Sequence, residues 1–170
     1  MRKLLETISS LLIAALALGA LWRWVIIPYQ CNVTLKRTTN ALEVALSIAP
    51  DSMRATEIVR RSVADLQKCE AACPDDIAVQ MALAAGYRAL GQNAKAISAY
   101  ETALKYDRRP ELYLNLGQTQ LAVGDSRNAL PNLALACIYN PGYLDEIGQY
   151  HTEVKNAVDL YQLQMLNAKH

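Results

Sequence analysis

Few groups in this 170-residue chain could do chemistry. Histidine occurs twice, at His151 and at the last position, His170. A general base needs a partner within reach, and the sequence sets no recognisable partner beside either imidazole. No G-x-S-x-G, H-E-x-x-H or glycine-rich phosphate loop occurs. The sequence therefore predicts no catalytic residue, no cofactor and no small-molecule substrate. Cys31, Cys69, Cys73 and Cys137 are the remaining reactive groups. Cys69 and Cys73 lie about one helical turn apart, which could furnish half of a metal site. Zinc wants four ligands and no second pair has suitable spacing, so no metal site is predicted. Both fall on an apolar stripe, as buried core thiols do. Disulfides are the alternative in an oxidising compartment. Four cysteines allow three complete pairings, and spacing does not choose among them.

The charged residues narrow the partners. Arg54, Arg60 and Arg61 could form a phosphate patch, but Glu57 and Asp65 interleave with them as on a solvated helix face. Lys and Arg together number 17 against 16 Asp and Glu, which gives no basic field for a phosphate backbone. No nucleic-acid partner is expected.

These residues must be positioned by helices. Only 7 Gly and 6 Pro are present, few for the many turns of an all-β chain. Alanine and leucine dominate, and both favour helix. From Ile8 to Pro28 the sequence is almost wholly apolar, with Arg23 as its one charge. About 21 residues at ~1.5 Å each span a hydrocarbon core of roughly 30 Å. Trp22 and Trp24 flank Arg23, as indoles and a snorkelling guanidinium do at the headgroup level. We expect residues 1–30 to be a single-pass transmembrane anchor, in contact with the membrane through residues 7–28. The alternatives are a signal peptide cut after Ala15-Leu16-Ala17, which would leave a short apolar region before the cut and a greasy mature terminus, and a buried helix of a soluble protein. Arg2 and Lys3 outweigh the more distant Lys36 and Arg37 as inside-facing charges. The expected location is a bacterial inner membrane, with the remainder of the chain in the periplasm.

Beyond the anchor the apolar spacing is helical to the end. Residues 31–75 read as a helical linker and a degenerate repeat-like unit, with one helix over Thr39–Ala49 and a second capped by Asp51 or Ser52. Ala55, Val59, Val63, Leu66, Cys69 and Cys73 make the stripe of that second helix. Residues 76–142 then repeat with a period of 33. Leu83 falls on Leu116, Ala84 on Gly117, Gly91 on Gly124, Ala96 on Ala129, Tyr100 on Leu133 and Ala103 on Ala136. The implied helices are Asp76–Leu90, Asn93–Tyr106, Pro110–Val123 and Ser126–Tyr139. Gly91 and Gly124 sit where a helix ends in the left-handed region. Asn93, and Asp125 or Ser126, can cap the helices that follow. Small residues at the matched positions let paired helices approach, and such hairpins must stack to bury their apolar faces. Residues 143–170 read as one long capping helix and a tail, with a stripe of Tyr143, Ile147, Tyr150, Val154, Val158, Tyr161 and Met165.

On these residues the chain resembles the tetratricopeptide repeat (TPR) family. The second unit matches its signature with Tyr113, Leu116-Gly117, Ala129, Leu133, Ala136 and Pro141, and departs at Gln120. The first unit matches with Leu83-Ala84, Tyr87, Ala96, Tyr100 and Ala103, and departs at Gln80 and Arg108. The resemblance covers Ile77 to Pro141. It implies an all-α solenoid of helix-turn-helix repeats that binds proteins through a concave face lined by the first helix of each pair. On this chain that face comprises Met81, Arg88, Glu111, Leu114, Asn115 and Gln118, with Ala78, Ala85 and Leu121 alongside. The chaperone-tail pattern of the family is absent apart from Asn115. Helical geometry places Met81 and Leu114 well round from the packing stripe, so both are expected to be exposed as the apolar centre of the groove. Two roles follow: an adaptor or scaffold subunit that binds other proteins of a membrane complex, or an import or sorting receptor for targeting peptides.

Overall fold

The computed structural model describes residues 2–48 and 52–167. No strand occurs among them. The elements are α1 (Arg2–Leu21), a π-helical turn (Trp22–Ile26), α2 (Ile27–Ile48), α3 (Met53–Ala72), α4 (Ile77–Ala89), α5 (Asn93–Leu104), α6 (Pro110–Ala122) and α7 (Ser126–Tyr139). A 3-10 stretch (Pro141–Tyr150) and α8 (His151–Asn167) complete the chain. Ala49, Pro50, Asp51 and His170 lie outside the described residues, as does the side chain of Met165.

Helix runs from Arg2 to Ile48, through Pro28, and the anchor and the following helix are one element. A proline lacks the N–H for the normal bond and its ring crowds the carbonyl four residues back. The widened turn just before Pro28, in which the Ile27 N–H donates to the Trp22 carbonyl, relieves that crowding without ending the helix. At ~1.5 Å per residue the whole helix is about 70 Å long. Over Leu11–Ala45 it is long and apolar enough to cross a membrane. Leu11, Leu12, Ile13, Leu16, Leu18 and Leu21 are all at least half exposed.

The distal half of the same helix is the first member of a hairpin. Each helix from α2 to α8 packs on the next, α2 on α3, α3 on α4 and onward, as in a stacked solenoid. Ser52 caps α3, its Oγ accepting from the Ala55 N–H at 3.0 Å. Ala55, Val59, Val63, Leu66 and Cys69 line the buried face of α3. Asp76 caps α4 by accepting from the Ala78 and Val79 N–H groups. Asp125 caps α7 through the Asn128 N–H. Asn93 does not cap α5. It is the first helical residue, and Gln92 before it makes no side-chain cap. Gly91 and Gly124 have φ of 69° and 80°, as the repeat turns require.

Close approach explains the small residues. Ala96, Ala103, Ala129 and Ala136 are fully buried. A Cβ on Gly117 would lie 2.7 Å from Leu133 Cγ, and one on Gly86 would lie 2.5 Å from Val63 Cγ2. Two of the three departures from the repeat signature, Gln80 and Gln120, are buried amides. Gln80 donates to Glu70 and to the Pro74 carbonyl. Gln120 accepts from Asn132 at 2.9 Å. The C-terminal stripe packs through Ile147 and Val154, which are buried, but not as one helix. Gly148 (φ 59°, ψ −120°) turns the chain between the 3-10 stretch and α8.

Candidate functional site

The first helices of the two repeats, α4 and α6, present the residues expected to line the groove. Arg88 on α4 is exposed. Its guanidinium donates to Asn115 Oδ1 on α6 at 3.3 Å. Asn115 in turn donates to the Glu111 carbonyl at 2.8 Å. Glu111, Ala78 and Ala85 are exposed, and Asn115, Gln118 and Leu121 are half-buried. Arg88 also reaches Tyr100. Burial raises the Tyr100 phenol above its usual range, and the guanidinium works against that rise. The accessible face is therefore a polar band with Arg88, Asn115, Glu111 and Gln118 as its hydrogen-bonding groups.

Met81 and Leu114 correct the expected apolar centre. Leu114 is 6% exposed and belongs to a cluster with Leu133, Ala136, Cys137, Ile147 and Val154. Met81 is half-buried against the main cluster, which includes Leu42 and Ala45 of α2. The reason is that the array does not end at α4 and α6. α2 packs on α4, and the segment carrying Ile147 and Val154 covers the other end. Periodicity within one hairpin places both residues away from that hairpin's own core, and neighbouring elements then bury them.

The other reactive groups are distributed as follows. His151 is half-buried at the start of α8, and His170 is not among the described residues. Arg60 and Arg61 both pair with Glu57, at 3.0 and 2.7 Å. Among the described residues no group of three or more His, Cys, Asp or Glu side chains is arranged to hold a metal ion. Cys31, Cys69 and Cys137 are buried and Cys73 is half-buried, all as free thiols. Their arrangement was hidden from sequence reading, because Cys31 comes beside α3 only if the anchor helix continues past Pro28.

No protein-family model matches the sequence, and no curated protein does. A solved structure does match: a thermophilic TPR protein of Thermus thermophilus, with a TM-score of 0.63 and 21% sequence identity over 79% of this chain and 67% of that one. At that identity the likeness speaks for the fold. The chain is an all-helical solenoid of the TPR kind with one long apolar N-terminal helix.

Proposed function

We infer that this chain is a membrane-anchored adaptor whose repeat array recruits another protein of a membrane complex. The observation that carries the reading is the helix from Arg2 to Ile48. From Leu11 to Val25 it is exposed and almost wholly apolar, and its distal half is built into the first hairpin of the array. An adaptor that must present its binding face at a fixed height and angle above a bilayer needs such a coupling. The apolar half crosses a bacterial inner membrane, and the array stands on the periplasmic side.

The accessible groove residues favour a polar or charged segment of the partner over an apolar helix. Arg88 offers donors suited to a carboxylate, and Asn115 and Gln118 offer both donors and acceptors. With Leu114 covered, little apolar surface is left for an amphipathic targeting peptide, which speaks against the import-receptor role. The test is co-purification from detergent, comparing the wild type with Arg88→Ala/Asn115→Ala. The reading expects the complex partners to be lost from the variant while its melting temperature is unchanged. Recovery of the same partners in wild-type amounts would rule the groove out.

A further inference from the structure

Three of the four cysteines meet where α2 crosses the end of α3. The Cys31 sulfur stands 4.0 Å from the Cys69 carbonyl oxygen, and the Cys69 sulfur stands 4.0 Å from the Cys31 carbonyl oxygen. Each of these sulfurs is thus directed at the other residue's backbone. The Cys69 carbonyl also accepts the Cys73 N–H at 2.7 Å. The Cys31 sulfur and the backbone of residue 73 therefore converge on one oxygen. Cys73 ends α3 with non-helical dihedrals (φ −137°, ψ 73°), just before Pro74. It is half-buried, whereas Cys31 and Cys69 are 6% and 5% exposed. A cleft of about 250 Å³ lies between the two helices with Cys31 and Cys69 in its wall. Burial, and then the neighbouring Cys31, raise the Cys73 thiol above its ordinary range. Cys137 belongs to the other apolar cluster, apart from these three.

We propose that Cys31 and Cys73 form an oxidisable pair that closes into a disulfide, clasping the anchor helix to the end of α3. The oxidant is a small-molecule or protein disulfide. The Cys73 thiol is the more exposed of the two and meets the oxidant first, in a step slowed by the small thiolate fraction that its burial leaves. It loses its proton, and its sulfur attacks one sulfur of the oxidant. The oxidant's S–S bond breaks and one thiolate leaves, taking up a proton. The Cys31 sulfur, deprotonated in turn, attacks the Cys73 sulfur of the mixed disulfide. The second thiolate leaves and is protonated. Two protein thiols are oxidised to one disulfide, and the oxidant is reduced to two thiols. The product joins the helix that carries the apolar segment to the first hairpin of the array, so that the angle between membrane and groove is held by a covalent bond.

The full chain in detergent, treated with oxidised glutathione, alkylated and mapped by peptide mass, tests this. Two of the four thiols should become protected, and a peptide joining Cys31 to Cys73 should appear. Cys69→Ala should still give that peptide. Cys73→Ser should abolish it and leave Cys31 open to alkylation after unfolding, with the helical circular dichroism unchanged. Three results would overturn the assignment: all four thiols still alkylated, a glutathione adduct on Cys73 that persists without a cross-link, or a Cys31–Cys69 link in the wild type.

Discussion

Replacing Gly117 by alanine sets two opposing terms against each other. Alanine in a helix interior gains about 0.8–1 kcal/mol over glycine from backbone propensity. Against that, the new methyl would sit 2.7 Å from Leu133 Cγ, 2.8 Å from Leu133 Cδ2 and 3.2 Å from the Ala129 carbonyl oxygen. Leu133 is fully buried and the carbonyl is part of the α7 backbone, so neither can retreat freely. Overpacking of this kind costs about 1–3 kcal/mol. The clash wins, and the net loss should be about 1 kcal/mol, with a fall of a few degrees in melting temperature. Urea unfolding of the full chain in detergent, followed by circular dichroism, measures it. The decisive comparison is a double-mutant cycle with Leu133→Ala, which removes the two clashing carbons. The double variant should be more stable than the two single losses add up to, by at least ~0.5 kcal/mol. Strict additivity, or a Gly117→Ala chain more stable than wild type, would show that α6 and α7 are not held together at this point.

Other substitutions probe separate parts of the account. Ala96→Leu or Ala129→Leu should each destabilise by about 1–3 kcal/mol by the same overpacking, and unchanged melting of both would refute the repeat register. Gly148→Ala forces a side chain into a conformation open to glycine, at a cost of about 1–3 kcal/mol, visible as a lower melting temperature. The Asp65 carboxylate accepts from Lys68 and Arg37, both at 2.9 Å, and these cations hold its pKa below the ordinary value. A depressed carboxylate contributes stability above the unfolded-state pKa of about 3.9, lost as pH falls through its lower folded value. Asp65→Asn should therefore narrow the stability difference between pH 6 and pH 3, and an unaltered pH profile would show the ion pairs contribute nothing.

The repeats were legible because their signals are local. A glycine that ends a helix and alanines at fixed spacing mark a hairpin wherever they occur, and Gly91, Gly124, Ala96 and Ala129 occupy the places their types demand. Gly86 makes as close an approach as Gly117, to Val63, but α3 and α4 come from parts of the sequence that share no period. Thr39–Ala49 read as a helix of its own, and only a π-helical turn, which leaves no residue signature, carries the anchor helix past Pro28 into it. The C-terminal stripe bends at Gly148, a position that the helical spacing of the stripe passes over. The groove suffered most. Exposure of Met81 and Leu114 was inferred within a single hairpin, whereas their burial depends on α2 at one end and on Ile147 and Val154 at the other.

The central claim is that one helix joins a bilayer to the array. Intact-mass measurement of the protein remaining in membranes after an alkaline carbonate wash tests it most directly. The account predicts a membrane-retained chain that keeps its residues 1–30. A mature chain beginning near Leu18 and released by the wash would contradict it.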